Sequence, residues 1–253
     1  MTMKKLALAA LGLLVLAAPV ACAADEDKLP TQKWSFDGPF GTYDRAALQR
    51  GLQIYLEVCS NCHSLKLLSY RDLTALGYTD DQTKAIASQK EVTDGPNDQG
   101  DMFQRPARPS DHFVPPYPND QANRAAHNGA LPPDLSLIIK AREGGADYVY
   151  DLLTGYTAPP AGVKIPDTMQ YNSWFPGHQI AMPPPLSDDI VTYGDGTKAT
   201  VQNEAHDVVT FLDWAAEPRK EERKRTGAKV IIFLLVMTGI LYAAKRKIWA
   251  DVH

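Results

Sequence analysis

The chain has 253 residues, 22% of them charged, a formal net charge of −4 and three cysteines. That charge argues against binding nucleic acid by bulk electrostatics, and so few cysteines exclude a disulfide-stapled scaffold. The overall figure hides an asymmetry: residues 24–218 hold 15 Lys+Arg against 27 Asp+Glu, or −12, whereas residues 219–253 hold 9 against 3, or +6.

The N-terminal stretch has the three parts of a secretory signal. Lys4 and Lys5 form a basic region, Leu6 to Ala18 an apolar run, and Pro19 with Ala21-Cys22-Ala23 a cleavage pattern. The run is too short to cross a bilayer. A lipoprotein signal ending at Cys22 is disfavoured by Pro19. The expectation is a removed signal peptide over 1–23 and an exported domain over 24–226.

Asp25 to Gly41 is an irregular lead-in, interrupted by Pro30, Gly38, Pro39 and Gly41. Thr42 or Asp44 can then cap a helix carrying Ala47, Gly51, Ile54 and Val58 on one face, with Leu48, Leu52 and Tyr55 beside them. This helix delivers the chain to Cys59-Ser60-Asn61-Cys62-His63. Two thiols at i and i+3 can each add to a haem vinyl group, and the adjacent His can ligate the iron. The rival reading is a thioredoxin-like dithiol, which calls for a βαβ setting that the sequence lacks. A zinc site would need further cysteines. The expected cofactor is therefore one covalent c-type haem.

Residues 90–133 are rich in Gly, Pro, Asp and Asn and read as a long loop without strands. Asp134 to Glu143 suggests a short helix stopped by Gly144-Gly145, and Asp147 to Leu153 another ended by Gly155. Thr157 to Pro185 is again loop. Ile190 to Tyr193 with Gly194-Asp195-Gly196 suggests a small hairpin. Asn203 can cap a last soluble helix bearing Val208, Phe211, Leu212 and Ala215, with Trp214 beside them and Pro218 after it.

The uncharged run Val230 to Ala244 is short for a span. Snorkelling by Lys229 and interfacial Ile248 and Trp249 extend it, and charged triplets bracket it at 223–225 and 245–247. The reading is a transmembrane anchor over 227–246 with a cytoplasmic tail over 247–253. Five basic residues precede the span and three follow it, but a signal peptide commits the large domain to the periplasm regardless of those loop charges.

A sixth haem ligand can come from Met102, Met169, Met182, His112, His127, His178 or His206. Met182 stands out because Pro183-Pro184-Pro185 pre-organises its loop, with His178 as main rival and His206 read as solvated. Met/His ligation leaves no open iron site and points to electron transfer rather than catalysis. Arg142 could pair with a haem propionate.

CSNCH (59–63), NGALPPDLS (128–136), AREGGADYVYDLLTGY (141–156), YNSWFPGHQIAMPPP (171–185), DVVTFLDWAAEP (207–218) and the anchor with KRKIW (245–249) together resemble the cytochrome c1 family. The resemblance covers most of residues 24–253. It implies a mainly α, cytochrome c-like haem domain with long loop insertions plus one C-terminal transmembrane helix. It implies His63 and Met182 as axial ligands, Arg142 near a propionate, and Tyr117, Pro133, Tyr148, Leu152 and Ile180 lining the haem pocket. It also implies a single-pass protein of the bacterial inner membrane, an electron carrier within a quinol–cytochrome c oxidoreductase. Its partners would be cytochrome b, a Rieske iron–sulfur protein, a soluble or tethered cytochrome c and the lipid bilayer. One departure is that residues 24–253 lack the additional cysteine pair of some bacterial members. The alternatives are a tethered cytochrome c feeding a terminal oxidase or nitric oxide reductase, a haem peroxidase, and a membrane-tethered dithiol oxidoreductase.

Overall fold

A computed structural model of the chain describes residues 29–250. The leader expected over 1–23 and the last three tail residues lie outside that range. As expected, the fold is mainly α with little strand.

Helix α1 (Arg45–Glu57) starts at Asp44, whose carboxylate accepts from the amides of Ala46 (2.9 Å) and Ala47 (3.4 Å). A Cys59–Asn61 3₁₀ turn follows directly. Next come a 3₁₀ segment, Tyr70–Leu76, and α2 (Asp80–Ala87), each opened by a capping box, Ser69 with Asp72 and Thr79 with Gln82. The last soluble helix, α6 (Val201–Ala216), is capped by Thr200, which accepts from Asn203 N–H at 3.3 Å. Asn203 thus lies inside the helix rather than at its cap.

Residues 90–133 are not the strand-free loop the composition suggested. β1 (Glu91–Asp94) pairs antiparallel with β2 (Phe103–Pro106), Glu91 opposite Pro106 and Asp94 opposite Phe103. Arg105 on β2 ties the hairpin to Asp94 and, at 2.6 Å, to Asp111. Both strands are largely exposed and polar, so no apolar alternation marked them. Asn119 caps α3 (Asp120–Ala126). The helix expected over 134–143 shrinks to α4 (Ile138–Ala141), and α5 (Gly145–Thr154) matches its expectation closely. Within 157–185 a short antiparallel pair forms, β3 (Gln170–Tyr171) with β4 (Gln179–Ile180). The hairpin expected at 190–196 does not form. Val191 and Tyr193 instead turn into the core, and Asp195 accepts from Arg50 at 2.8 Å.

The core is the crossing of α1 and α6, joined by α4 and α5. Leu48, Leu52, Ile54 and Tyr55 meet Val208, Phe211, Leu212 and Trp214, all essentially buried. The two backbones touch at Gly51, where a Cβ would lie 2.1 Å from the carbonyl oxygen of Asp207. Beside the crossing, Arg50 grips the Asp207 carboxylate with two bonds of 2.6 and 3.0 Å. Helices α1 and α6 therefore form one rigid unit, and Cys59 leaves its end.

Glu204 on α6 is fully buried, and among the described residues neither carboxylate oxygen has a side-chain hydrogen-bond partner. Burial, opposed in part by the nearby amides of Val191 and Ile190, pushes its pKa from 4.5 up to about 7, with Asp188 and Asp189 adding to the rise. The folded state thus favours the protonated form. That contribution is full below pH 4.5 and is lost as pH rises through 7. Glu204→Gln is expected to raise stability at pH 8 by about 1–3 kcal/mol and to flatten the pH profile between 5 and 8. Denaturant melts at pH 5 and 8 would show it, and an unchanged difference between the two would refute it.

The final helix, α7 (Lys220–Trp249), is long and apolar enough to cross a membrane and is not buried within the chain. At 1.5 Å per residue it spans about 45 Å, the thickness of a bilayer with its headgroups. Its base is clamped to the domain. Lys220 binds Asp213 at 2.6 Å, Arg45 binds Glu221 at 2.6 Å, and the Lys224 ammonium donates to the carbonyls of Phe36 (2.6 Å) and Gly41 (3.1 Å).

Candidate haem-binding site

The Cys59–Asn61 turn is closed by bonds to Cys59 O from the amides of Cys62 (3.1 Å) and His63 (2.9 Å). Side chains at i and i+3 of a 3₁₀ turn eclipse one another, so the two thiols share a face. Both are free and half-buried. Burial pushes the Cys59 thiol up to about 12, with Cys62 adding to the rise, and pushes Cys62 up as well. A catalytic dithiol needs a thiolate stabilised near neutrality, usually by a helix N-terminus. These thiols follow the C-terminal, electronegative end of α1, so the environment opposes dithiol redox chemistry.

His63 is held at both ends. Its carbonyl accepts from Tyr55 Oη at 3.2 Å, and its Nδ1 lies 2.8 Å from Pro133 O. A carbonyl can only accept, so Nδ1 carries the hydrogen and the Nε2 lone pair is left for a metal. Burial lowers the imidazole pKa, against the opposing effect of the Pro133 bond, and so keeps the ring neutral. This donor set fits a haem: two uncharged, unbridged thiols and an imidazole with one nitrogen committed.

The sequence pattern puts Asp134 at a helix start; its carboxylate instead holds the site's second wall. It accepts from Ser64 Oγ (2.7 Å), Lys66 N–H (2.9 Å) and Ser136 N–H (2.9 Å), while Leu135 N–H donates to Ser64 O at 2.9 Å. The segment 133–136 is thereby stapled along 63–67, and Pro133 O is fixed beside His63. Burial would raise the Asp134 pKa, but the bonds from Ser136, Lys66 and Ser64 outweigh it and hold the carboxyl below its ordinary range. Its stabilisation is present above the unfolded pKa and is lost as pH falls through the depressed folded value. Asp134→Ala leaves three donors unpaired and is expected to cost about 2–4 kcal/mol. It should also steepen loss of the His63 environment, read as a lower melting temperature together with a shifted haem spectrum. A normal spectrum and melting temperature would contradict this role.

Tyr148, buried, and Leu152, half-buried, lie one turn apart on α5, and Ile180 is buried on β4. Half-buried Met182 follows β4, and its carbonyl accepts from Tyr156 Oη at 3.1 Å. Asn172, fully buried, knits this loop together: its amide donates to Leu152 O at 2.8 Å and its oxygen accepts from Trp174 and Phe175 N–H. Neither Tyr156 nor Asn172 was singled out from sequence. Tyr117 packs edge-on against His127 at 5.5 Å. Arg142, exposed just past α4, donates among the described residues only to its neighbour Ala141 O at 3.2 Å.

The other ligand candidates are placed as follows. His178 stacks on Tyr171 at 5.6 Å, and its Nδ1 lies 3.4 Å from Asn172 O. His127 Nδ1 sits 2.8 Å from Asn123 O. His206 stacks flat on Trp34 at 4.7 Å rather than standing in solvent. His112 is exposed, as are Met102 and Met169.

A family model described as the cytochrome C1 family matches residues 34–252. The chain is 48% identical over 269 residues to a cytochrome c1 of Rhodospirillum rubrum, covering 99% of this chain and 98% of that protein. It is 50% identical over 272 residues to a cytochrome b/c1 of Bradyrhizobium diazoefficiens, covering 98% of this chain but spanning only 40% of that longer protein. A mitochondrial cytochrome c1, heme protein, of Schizosaccharomyces pombe is 50% identical over 219 residues, 87% of this chain and 71% of that one.

Proposed function

Because the chain belongs to the cytochrome c1 family, the haem-carrying electron-transfer subunit of the bc1 complex, we propose that it takes electrons from a Rieske iron–sulfur protein and passes them to a soluble or tethered cytochrome c. Cytochrome b completes the membrane complex. The haem is attached covalently through Cys59 and Cys62, with His63 and Met182 as axial ligands. When bound, that group supplies one-electron chemistry between ferric and ferrous iron.

The observation that carries the reading is the His63–Pro133 bond of 2.8 Å, which fixes the tautomer that leaves Nε2 for iron beside two uncharged thiols. The Tyr156 bond to the Met182 carbonyl and the three prolines after Met182 support a thioether presented from a fixed loop. Tyr148, Leu152 and Ile180 supply apolar walls, Tyr117 and Pro133 flank them, and Arg142 is free to turn its guanidinium towards a propionate. The leader motif and the α7 anchor support a single-pass protein of the bacterial inner membrane with the haem domain in the periplasm. The −12 charge of residues 24–218 would steer a basic cytochrome c to that domain, so turnover should fall steeply with salt.

Purification of the full chain in mild detergent, with a visible spectrum and subunit identification on one sample, tests this. Cytochrome b and a Rieske protein should co-purify, and the haem should resist acid–acetone extraction. Recovery with oxidase subunits, or extractable haem, would overturn it.

A further inference from the structure

The turn before α1 carries a feature that electron transfer does not use. Phe40 is 84% exposed, more than any other large hydrophobic side chain described, the membrane helix included. The turn that presents it is built, not slack. Gly38 has φ +68°, and a Cβ on Gly41 would lie 1.9 Å from Asp37 O, so only glycine fits there. The Lys224 ammonium, bonded to Phe36 O and Gly41 O, fastens the turn to the base of α7.

Height along α7 then decides what Phe40 meets. Lys224 lies six residues, or about 9 Å, before Val230, where the uncharged run begins. A headgroup layer is about 5–8 Å thick on each side of the hydrocarbon. The turn therefore stands at the outer edge of that layer, with an aromatic side chain left almost wholly exposed among the described residues. Along the same stretch of α7, Arg219, Arg225 and Lys229 are exposed and make no ion pair among the described residues, whereas Lys220, Arg223 and Lys224 are engaged within the domain. Residues 219–229 hold six basic and two acidic side chains, a collar of +4 beneath a domain of −12.

We propose that the Phe40 turn and the α7 collar form a membrane-surface contact, Phe40 entering the headgroup layer and Arg219, Arg225 and Lys229 binding anionic lipid phosphates. An aromatic ring suits that layer, and exposed basic residues at its edge suit negatively charged headgroups. The contact would make the haem domain rest on the bilayer at a set tilt instead of swinging on its anchor. It rests on α7 spanning the bilayer.

The test is spin labelling of the full, haem-loaded chain in vesicles of phosphatidylethanolamine and phosphatidylglycerol. Phe40→Cys, Leu235→Cys on the span and Asp98→Cys in the exposed β1–β2 connection are compared for collision with oxygen and with a water-soluble nickel chelate. The expected result is a deep signal at 235, a water-like one at 98, and at 40 an oxygen-to-nickel ratio at least twofold above that at 98. Arg225→Gln with Lys229→Gln should return the ratio at 40 to the value at 98. A water-like signal at 40 with a deep one at 235 overturns the membrane contact alone. A water-like signal at 235 overturns the anchor and the contact together. A label at 40 shielded from both reagents means a protein contact and also overturns it.

Discussion

Replacing Met182 by Leu is expected to lower the haem potential by a few hundred millivolts while leaving the chain folded and the haem attached. Leu matches Met in volume and cannot donate a lone pair, so packing is conserved and only ligation is lost. Axial ligands tune haem potentials over roughly 0.8 V, and a thioether opposite His lies towards the high end. The local structure should persist because it does not depend on the sulfur. The Met182 loop is held by its own carbonyl through Tyr156, by Asn172 behind it, and by three prolines ahead. Redox titration of the membrane-bound variant gives the shift, and carbon monoxide binding to the ferrous form reports the opened site. His178→Ala is the matched control: removing the rival ligand should move the potential little. An unchanged potential in Met182→Leu with a large change in His178→Ala would reverse the assignment.

What could be read directly from sequence was local in the chain. The CSNCH string, the Asp44-capped helix before it and the apolar run of α7 each declare themselves within a few turns. Asp134 did not. Its role depends on segment 133–136 lying along segment 63–67, and a pairing across some 70 residues leaves no periodic trace. Read locally, an Asp ahead of apolar residues looks like a helix cap. The β1–β2 hairpin escaped for a different reason: Glu91 to Asp94 and Phe103 to Pro106 are polar and exposed, held by Arg105 bridging Asp94 and Asp111. At 190–196 the reverse holds. Ile190 to Tyr193 has strand composition, but burying Val191 and Tyr193 and engaging Asp195 with Arg50 overrides that propensity. Of the site, the residues proposed for covalent and axial roles stand in recognisable strings, whereas Tyr55, Tyr156 and Asn172 act through backbone groups and have no motif.

Gly51→Ala is expected to be strongly destabilising. Glycine in a helix interior ordinarily costs about 0.5–1 kcal/mol relative to alanine, so propensity alone predicts a stabilised α1. Geometry predicts the reverse. The new methyl would meet Asp207 O at 2.1 Å and Phe211 Cβ at 2.7 Å, well inside contact distance. Neither can yield cheaply: one is helix backbone and the other a side-chain root. The helices must move apart by an ångström or more, which breaks the two Arg50–Asp207 bonds and loosens Leu48, Leu52 and Tyr55 from Phe211 and Trp214. Overpacking of this kind costs about 1–3 kcal/mol, and disrupting a part-buried ion pair adds to it, for a total of about 4 kcal/mol or more. Because α1 leads directly into the turn that begins at Cys59, a displaced α1 also misplaces both thiols, so haem attachment in the cell should fall along with stability. Covalent haem per polypeptide and the thermal midpoint of the purified protein would both drop. If the midpoint rose instead, helix propensity would outweigh the crossing, and α1 and α6 would not meet as closely as Gly51 requires.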